Sequence, residues 1–294
     1  MTNPRISIVT PSFNQGVYIE RTIRSVLLQE YDNLEYAVCD GGSTDATMEV
    51  VDRYRDQLAW VRSGPDAGQS DAIARGLSQS TGEIMGWLNS DDLLAPGALD
   101  AVVEAFERYP RVDVLYSHRV AVDADDRVLY YWILPPHSNY LMARWDLIPQ
   151  ETCFWRRRVW EAVGGVDPSY HFAMDYDLFT RFMTHGRFKR LDRFLGAFRI
   201  HPSSKTSSQL QTVGAQEADR VRNARGLRFG AWSAPLSRMF CRMVSVHGED
   251  FANSKGTKPG CLAGIGYDYN DVWNGRLKQV QGLESAVNAA ELRG

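Results

Sequence analysis

The chain predicts an α/β fold with a doubly wound, mixed sheet, and two observations lead there. Over the first 110 or so positions, short β-branched strands alternate with amphipathic segments of about ten residues, the pattern of parallel β-α-β units. Three predicted strands also end on polar or acidic residues, at Thr10, at Asp40 and at Asn89, Ser90, Asp91 and Asp92. A doubly wound sheet brings such positions to one edge, outside the strand carboxyl ends, where ligands bind.

Each element follows from its own residues. Residues 5–10, RISIVT, are rich in β-branched side chains and run into Pro11, a strand and then a turn. Residues 17–29 set Ile19, Ile23, Val26 and Leu27 at helical spacing. The second strand, 34–40 (LEYAVCD), meets a Gly-Gly turn and a helix over 45–58. A short strand at 59–63, a helix at 69–78, a strand at 83–88 and a helix at 96–108 with Pro96 in its first turn complete the regular half. The pattern then loosens, with strands predicted at 112–119, 128–134 and 147–154, and a short helix at 157–163. A helix from about Asp175, strands at 188–191 and 196–201 and a helix at 212–226 follow. Beyond Ser254 the composition turns polar and Gly-rich, and no packed core is expected.

At 294 residues the chain can hold one large domain or two small ones, and 44% hydrophobic and 23% charged residues are ordinary for a soluble protein. A formal net charge of −3 supplies no overall basic field, which argues against nucleic acid as the main partner. Cys39, Cys153, Cys241 and Cys261 are far apart and form no C-x-x-C pair, so neither a zinc site nor a disulfide framework is suggested. There is no signal-like core at the start and no apolar run near the roughly 20 residues that span a bilayer. A cytoplasmic protein is expected, at most peripheral on the inner face of the membrane.

Several residues carry chemistry. In DGGSTD, Ser43, Thr44 and Asp45 read as a helix cap, which leaves Asp40 unexplained; a carboxylate at a strand end can accept the imide N–H of a uracil or thymine ring. Asn89, Ser90, Asp91 and Asp92 fit two readings: a turn in which an acid caps the next helix, or oxygen ligands for Mg²⁺ or Mn²⁺ completed by substrate phosphates. Asp175, in MDYDL, fits either a favourable charge in the first turn of a helix or a general base. His201 fits a packed histidine or a ligand. No G-x-x-x-x-G-K-[ST] or G-x-G-x-x-G is present, so charge on a diphosphate would have to be met by a metal.

Six stretches in order, SIVTPSFNQ (7–15), CDGGSTD (39–45), GPDAGQSDAIARG (64–76), GEIMGWLNSDD (82–92), FWRRRVWEAVGGVD (154–167) and AMDYDLFTRF (173–182), resemble the inverting glycosyltransferases of family 2, with the Rossmann-like GT-A fold. The resemblance covers about residues 5–205. It implies that Thr10, Pro11, Ser12 and Phe13 hold the donor's nucleoside, that Asp40 contacts its base, and that Asp66, Gln69 and Asp71 flank the nucleotide and donor sugar. Asn89, Ser90 and Asp91 occupy the family's DXD position, with Asp91 the ligand of a Mn²⁺ or Mg²⁺ cofactor. Asp175 matches the catalytic base, and His201 a position that in some members assists the metal or diphosphate. Asn89 departs from the pattern: an amide is a weak metal ligand, so it is expected to bond ribose or a water instead.

The implied activity moves a sugar from a nucleotide-sugar donor, UDP- or dTDP-linked, to a saccharide or lipid-linked saccharide acceptor in cell-surface glycan assembly. Acceptor contacts are expected from Gln150, Glu151, Trp155 and Tyr176, although aromatic residues there equally suit a core. The arginine-rich stretch 220–242 fits a membrane-surface segment or a solvated helix pair. The expected organisation is a nucleotide-sugar half (1–118), an acceptor and catalytic half of the same domain (119–210) and a C-terminal helical segment with a polar tail (211–294). The alternatives are a non-catalytic nucleotide-sugar-binding module, or a nucleotidyltransferase of similar fold, whose Gly-rich basic loop after the first strand TPSFNQG lacks.

Overall fold

All seven residues of β1 (Ile6–Ser12) are buried, so the strand needs hydrogen-bonding neighbours on both edges and cover on both faces. Parallel pairing with β2 (Leu34–Asp40) and β4 (Ile84–Trp87) meets the first need, and β3 (Trp60–Ser63) extends the sheet beyond β2. The computed structural model describes residues 3–227. Past β4 the sheet is mixed. The other strands are β5 (Leu93–Leu94), β6 (Val114–Val122), β7 (Val128–Trp132), β8 (Phe154–Arg156) and β9 (Phe188–Arg199). The order is β3-β2-β1-β4-β8-β6-β9-β5, with β7 added to β6.

Nine α-helices occur among the described residues: α1 (Ile19–Leu27), α2 (Thr47–Arg53), α3 (Gln69–Gln79), α4 (Ala98–Arg108), α5 (Asn139–Trp145), α6 (Arg157–Val163), α7 (Met174–His185), α8 (Lys205–Gln209) and α9 (Ala215–Ala224). They cover two apolar clusters. Ile6 and Ile8 of β1 pack with residues of α1, α2 and α4, whereas Val9 joins Trp87, Trp155 and the Ile73, Trp160, Phe179 and Phe182 side chains of α3, α6 and α7. The period-2 alternation of β1 thus feeds both layers.

Register sets the functional edge. Ser12 lies opposite Asp40, and Asp40 opposite Ser63, so three strands stop together and release their loops on one side. β9 passes so close to its neighbours that a Cβ on Gly196 would sit 2.8 Å from the carbonyl oxygen of Glu151 and 3.0 Å from that of Leu93.

The second half differs from the periodicity in three places. The predicted strand at 147–154 is a loop and a 3₁₀ turn (Gln150–Thr152) followed by the three-residue β8, because Gln150, Glu151 and Thr152 all turn buried polar side chains inward. The two strands predicted at 188–201 are one, β9, whose pairing with β6 shifts register near His118. Position 118, the expected divide between halves, lies inside β6. Helices α5 and α8 were not predicted. The tail beyond Ser254, and residues 228–242 of the arginine-rich stretch, lie outside the described residues; within it Arg220 bonds Ser169 and Arg225 bonds Asp177. No described helix is long and apolar enough to cross a membrane.

Trp155 belongs to this core and not to an acceptor surface. It is 0% exposed, with its ring 5.5 Å from Trp87, 5.5 Å from Phe182 and 6.1 Å from Trp160. Trp155→Ala is expected to cost about 3–5 kcal/mol of stability, measured by denaturant unfolding.

Candidate active site

A cavity of about 870 Å³ opens along the strand ends. At one end it is lined by Pro11, Ser12, Phe13, Gly41, Pro65 and Asp66. Phe13 is 60% exposed and offers a free aromatic face. Ser12 Oγ is buried and has no hydrogen-bond partner, an uncommon state for a hydroxyl and one that a bound ligand would relieve. Asp66 Oδ1 accepts the Gly68 N–H at 2.8 Å.

Asp40 shapes this end from behind. It is 2% exposed, and its Oδ2 accepts from the Gly42 and Ser43 N–H groups (both 3.0 Å) and from Ser63 Oγ (2.7 Å), while Ser43 Oγ donates to Oδ1. Its carboxylate therefore organises the loop and does not face the cavity. Thr10 is likewise enclosed, with its Oγ1 3.0 Å from the Tyr36 hydroxyl, and Asp71 is engaged by the Ala67 N–H and Arg75. These three residues support the strand-end loops from behind the lining.

The loop after β4 forms the floor. Asn89 bonds the protein through both ends of its amide: Oδ1 accepts from Gln69 Nε2 at 2.7 Å, and Nδ2 donates to Asp92 Oδ2 at 3.1 Å and Gln150 Oε1 at 3.2 Å. This hub takes up both amide hydrogens and leaves one lone pair of Oδ1 for the expected ribose or water. Asp92 caps no helix; its Oδ1 accepts the Arg199 N–H at 3.0 Å. Burial first, then the Asp91 and Glu151 charges, push its carboxyl well above the usual range. Arg199, fully buried, donates from Nε to the Asp91 carbonyl at 2.7 Å and from Nη1 to the Asp123 and Ala124 carbonyls and to Asp126.

With its backbone held this way, Asp91 turns Oδ2 to His201 Nε2, 3.0 Å away, while His201 Nδ1 is 3.0 Å from Ser203 Oγ and the ring lies against Tyr18. A carboxylate oxygen and an imidazole nitrogen facing each other suit a Mn²⁺-class ion better than a wholly oxygen-ligated one. Among the described residues no group of three or more His, Cys, Asp or Glu converges for a metal. An ion held by this pair would complete its shell with substrate oxygens, as ions at phosphate sites commonly do. Lys205 lines the cavity nearby, its Nζ donating to Gln69 Oε1 at 2.8 Å and the His171 carbonyl at 3.1 Å.

Asp175 lines the same cavity from the first turn of α7, where its Oδ1 accepts the Tyr176 N–H at 2.8 Å. Burial raises its carboxyl to about 6, against the lowering pull of that N–H and of Arg119. Arg119 forms a two-pronged pair with Glu151, at 2.8 and 2.7 Å, and lies over the Phe198 and Trp132 rings. Gln150 donates to the Trp87 carbonyl at 2.8 Å. Gln150 and Glu151 thus line the cavity while tied into its wall. Tyr176 points away: it is 1% exposed, and its hydroxyl donates to the Ala143 carbonyl. Successive helix positions diverge by about 100°, so an acceptor contact from Tyr176 is not compatible with Asp175 facing the cavity. From α9, Glu217 accepts the N–H groups of His171, Phe172 and Ala173 at 2.8–3.1 Å, fixing the approach to α7. Arg199, Lys205 and Glu217 were missed by sequence reasoning, since nothing local marks a contact made from 34 to 136 positions away.

A family model described as glycosyl transferase family 2 matches residues 7–158. Chondroitin synthase of Pasteurella multocida (strain Pm70) is 28% identical over 214 residues, 71% of this chain and 22% of that protein. Hyaluronan synthase of Pasteurella multocida is 29% identical over 212 residues, 70% of this chain and 22% of that protein. The match therefore spans about a fifth of the length of these two relatives. Among solved structures, the mannosyltransferase PcManGT from Pyrobaculum calidifontis, in complex with GDP-Man and Mn²⁺, superposes with a TM-score of 0.60 at 19% identity, over 97% of this chain and 86% of that one. S. aureus TarS 1-349 in complex with UDP-GlcNAc gives 0.56 at 21% identity, over 69% and 61%. The chain has their GT-A fold.

The Asn89 hub generates a prediction. Asn89→Asp removes two donated hydrogen bonds and sets a carboxylate against Asp92, so stability is expected to fall by about 2–4 kcal/mol with no gain in Mn²⁺ affinity, read by denaturant unfolding and metal titration.

Proposed function

The chain belongs to glycosyl transferase family 2, and from that premise we propose that it is a metal-dependent, inverting hexosyltransferase. Its donor is UDP- or dTDP-linked and its acceptor a saccharide or lipid-linked saccharide. The observation that carries this reading is one cavity lined by the strand-end loops, by Asp91 and by Asp175, whose carboxyl is raised to about 6. A carboxyl with that value is largely ionised at neutral pH yet basic enough to take a proton, the balance general-base catalysis needs.

Asp175 accepts the proton of an acceptor hydroxyl as its oxygen attacks the anomeric carbon. The bond from that carbon to the diphosphate oxygen breaks, and its electron pair leaves with the nucleoside diphosphate. One displacement from the opposite face inverts the configuration. Asp91 and His201 would hold the Mn²⁺ or Mg²⁺ ion, which when bound supplies Lewis-acid neutralisation of the diphosphate charge. Lys205 adds a cationic side chain at the same end, and Ser12 Oγ and Phe13 face the nucleoside. The relatives' names support a polysaccharide product, and the ligands of TarS and PcManGT support a nucleotide-sugar donor. In this reading residues 1–118 serve the donor and 119–210 the acceptor and base, with β6 shared between them.

Two measurements check the proposal. In a thermal-shift screen, UDP- or dTDP-sugars are expected to raise the melting midpoint only with Mn²⁺ or Mg²⁺ present, by the equivalent of about 2.7 kcal/mol at a hundredfold excess over Kd; an equal shift in EDTA would reject the metal. Asp175→Asn is expected to keep that shift and lose about 10²–10⁴-fold in turnover. Because the base must be ionised, wild-type kcat/KM should fall about tenfold per pH unit below about 6, and a flat profile there would remove Asp175 as base.

A further inference from the structure

Asp146 also lines the cavity, and the reading above leaves it unused. It ends α5 in the left-handed backbone region, with φ 46° and ψ 58°. Gly or Asn takes that conformation more readily, so the turn itself does not call for a carboxylate. The other acids on the lining are each engaged by protein: Asp66 by the Gly68 N–H, Asp91 by His201, Asp92 by Asn89 and Arg199, Glu151 by Arg119, and Asp175 by the Tyr176 N–H. Among the described residues nothing hydrogen-bonds or pairs with the Asp146 carboxyl, which is open to the cavity. An exposed carboxyl in a strained turn that lines the cavity and is engaged by no protein donor is available to a ligand there.

We propose that Asp146 is an acceptor-binding residue, whose carboxyl hydrogen-bonds an acceptor hydroxyl next to the one that Asp175 deprotonates and so sets which hydroxyl is glycosylated. The inference rests on Asp175 as the base, because that assignment places the acceptor at this end of the cavity. The Asp146 side chain is exposed on the cavity lining; desolvation on its cavity side, and then the Asp175 charge, push its carboxyl up. A carboxyl there accepts from the hydroxyl beside the attacking one, and an acceptor that presents a hydroxyl at that point is held in one orientation, which is the basis for choosing between hydroxyls.

The test uses Asp146→Gly, which removes the carboxyl and suits the backbone, and Asp146→Asn, whose amide still donates and accepts. Transfer is followed in the full-length protein from UDP-N-acetylglucosamine to p-nitrophenyl hexosides and their monodeoxy analogues, and binding by the midpoint shift that UDP with Mn²⁺ produces. In D146G the acceptor KM is expected to rise about tenfold or more, the loss of one good hydrogen bond, and in D146N by no more than about threefold. The UDP and Mn²⁺ shift stays unchanged in both variants. One monodeoxy acceptor should be penalised about tenfold by wild type and not by D146G. A KM for D146G within about twofold of wild type, or a UDP shift lost in step with KM, overturns the proposal. Turnover retained by D175N would instead overturn the base assignment, so the two failures are separable.

Discussion

The site depends on a buried guanidinium. Arg199 is 0% exposed, and a charge taken out of water is costly unless most of its donors are engaged; here Nε and Nη1 are bonded, while Nη2 is buried without a hydrogen-bond partner. Its partners are the carbonyls of Asp91, Asp123 and Ala124 and the carboxylate of Asp126, which Arg21 also reaches at 2.9 Å from the surface. Its own backbone N–H goes to Asp92. One side chain thereby ties the last core strand to the loop after β4 and to the β6–β7 turn. His201, two residues further on, meets Asp91 because β9 has been fixed against that loop. The convergence of two residues 110 positions apart is thus a by-product of satisfying a buried charge.

The same floor explains why position 89 carries an amide. Asp91, Asp92 and Glu151 already crowd one small volume, and burial, with the Asp91 and Glu151 charges added, drives Asp92 toward its neutral form. An amide can donate to Asp92 and Gln150 while accepting from Gln69, a combination that no carboxylate offers. The departure from the family pattern is a solution to crowding among acids, and it leaves Asp91 as the carboxylate turned toward His201.

The regular half was legible because parallel β-α-β units write their period into the chain, and because a strand's last residue can be located without knowing the fold. The placement of Asn89, Ser90 and Asp91 on the cavity follows from that, while Pro11, Ser12, Phe13, Asp66 and Gln69 came from the family resemblance and also line it. Sequence could not supply side-chain direction. Asp40 ends its strand as expected but turns into its own loop, and Trp155, aromatic and near Gln150 and Glu151, faces the core because β8 alternates. Tyr176 neighbours Asp175 in sequence and diverges from it in space. Asp146 was overlooked because the helix it ends was not predicted, and its lack of a protein partner exists only in three dimensions.

Glu217 places a control point outside the region that the family pattern describes. The match ends at residue 158, whereas Asp175, His201, Lys205 and Glu217 all follow it. Three successive backbone N–H groups just ahead of α7 hang on one carboxylate of α9. The strand-end loops thus lie inside the matched region, whereas the segment that carries Asp175 is latched from the far end of the described chain, so the acids on one cavity rest on two different stretches of sequence.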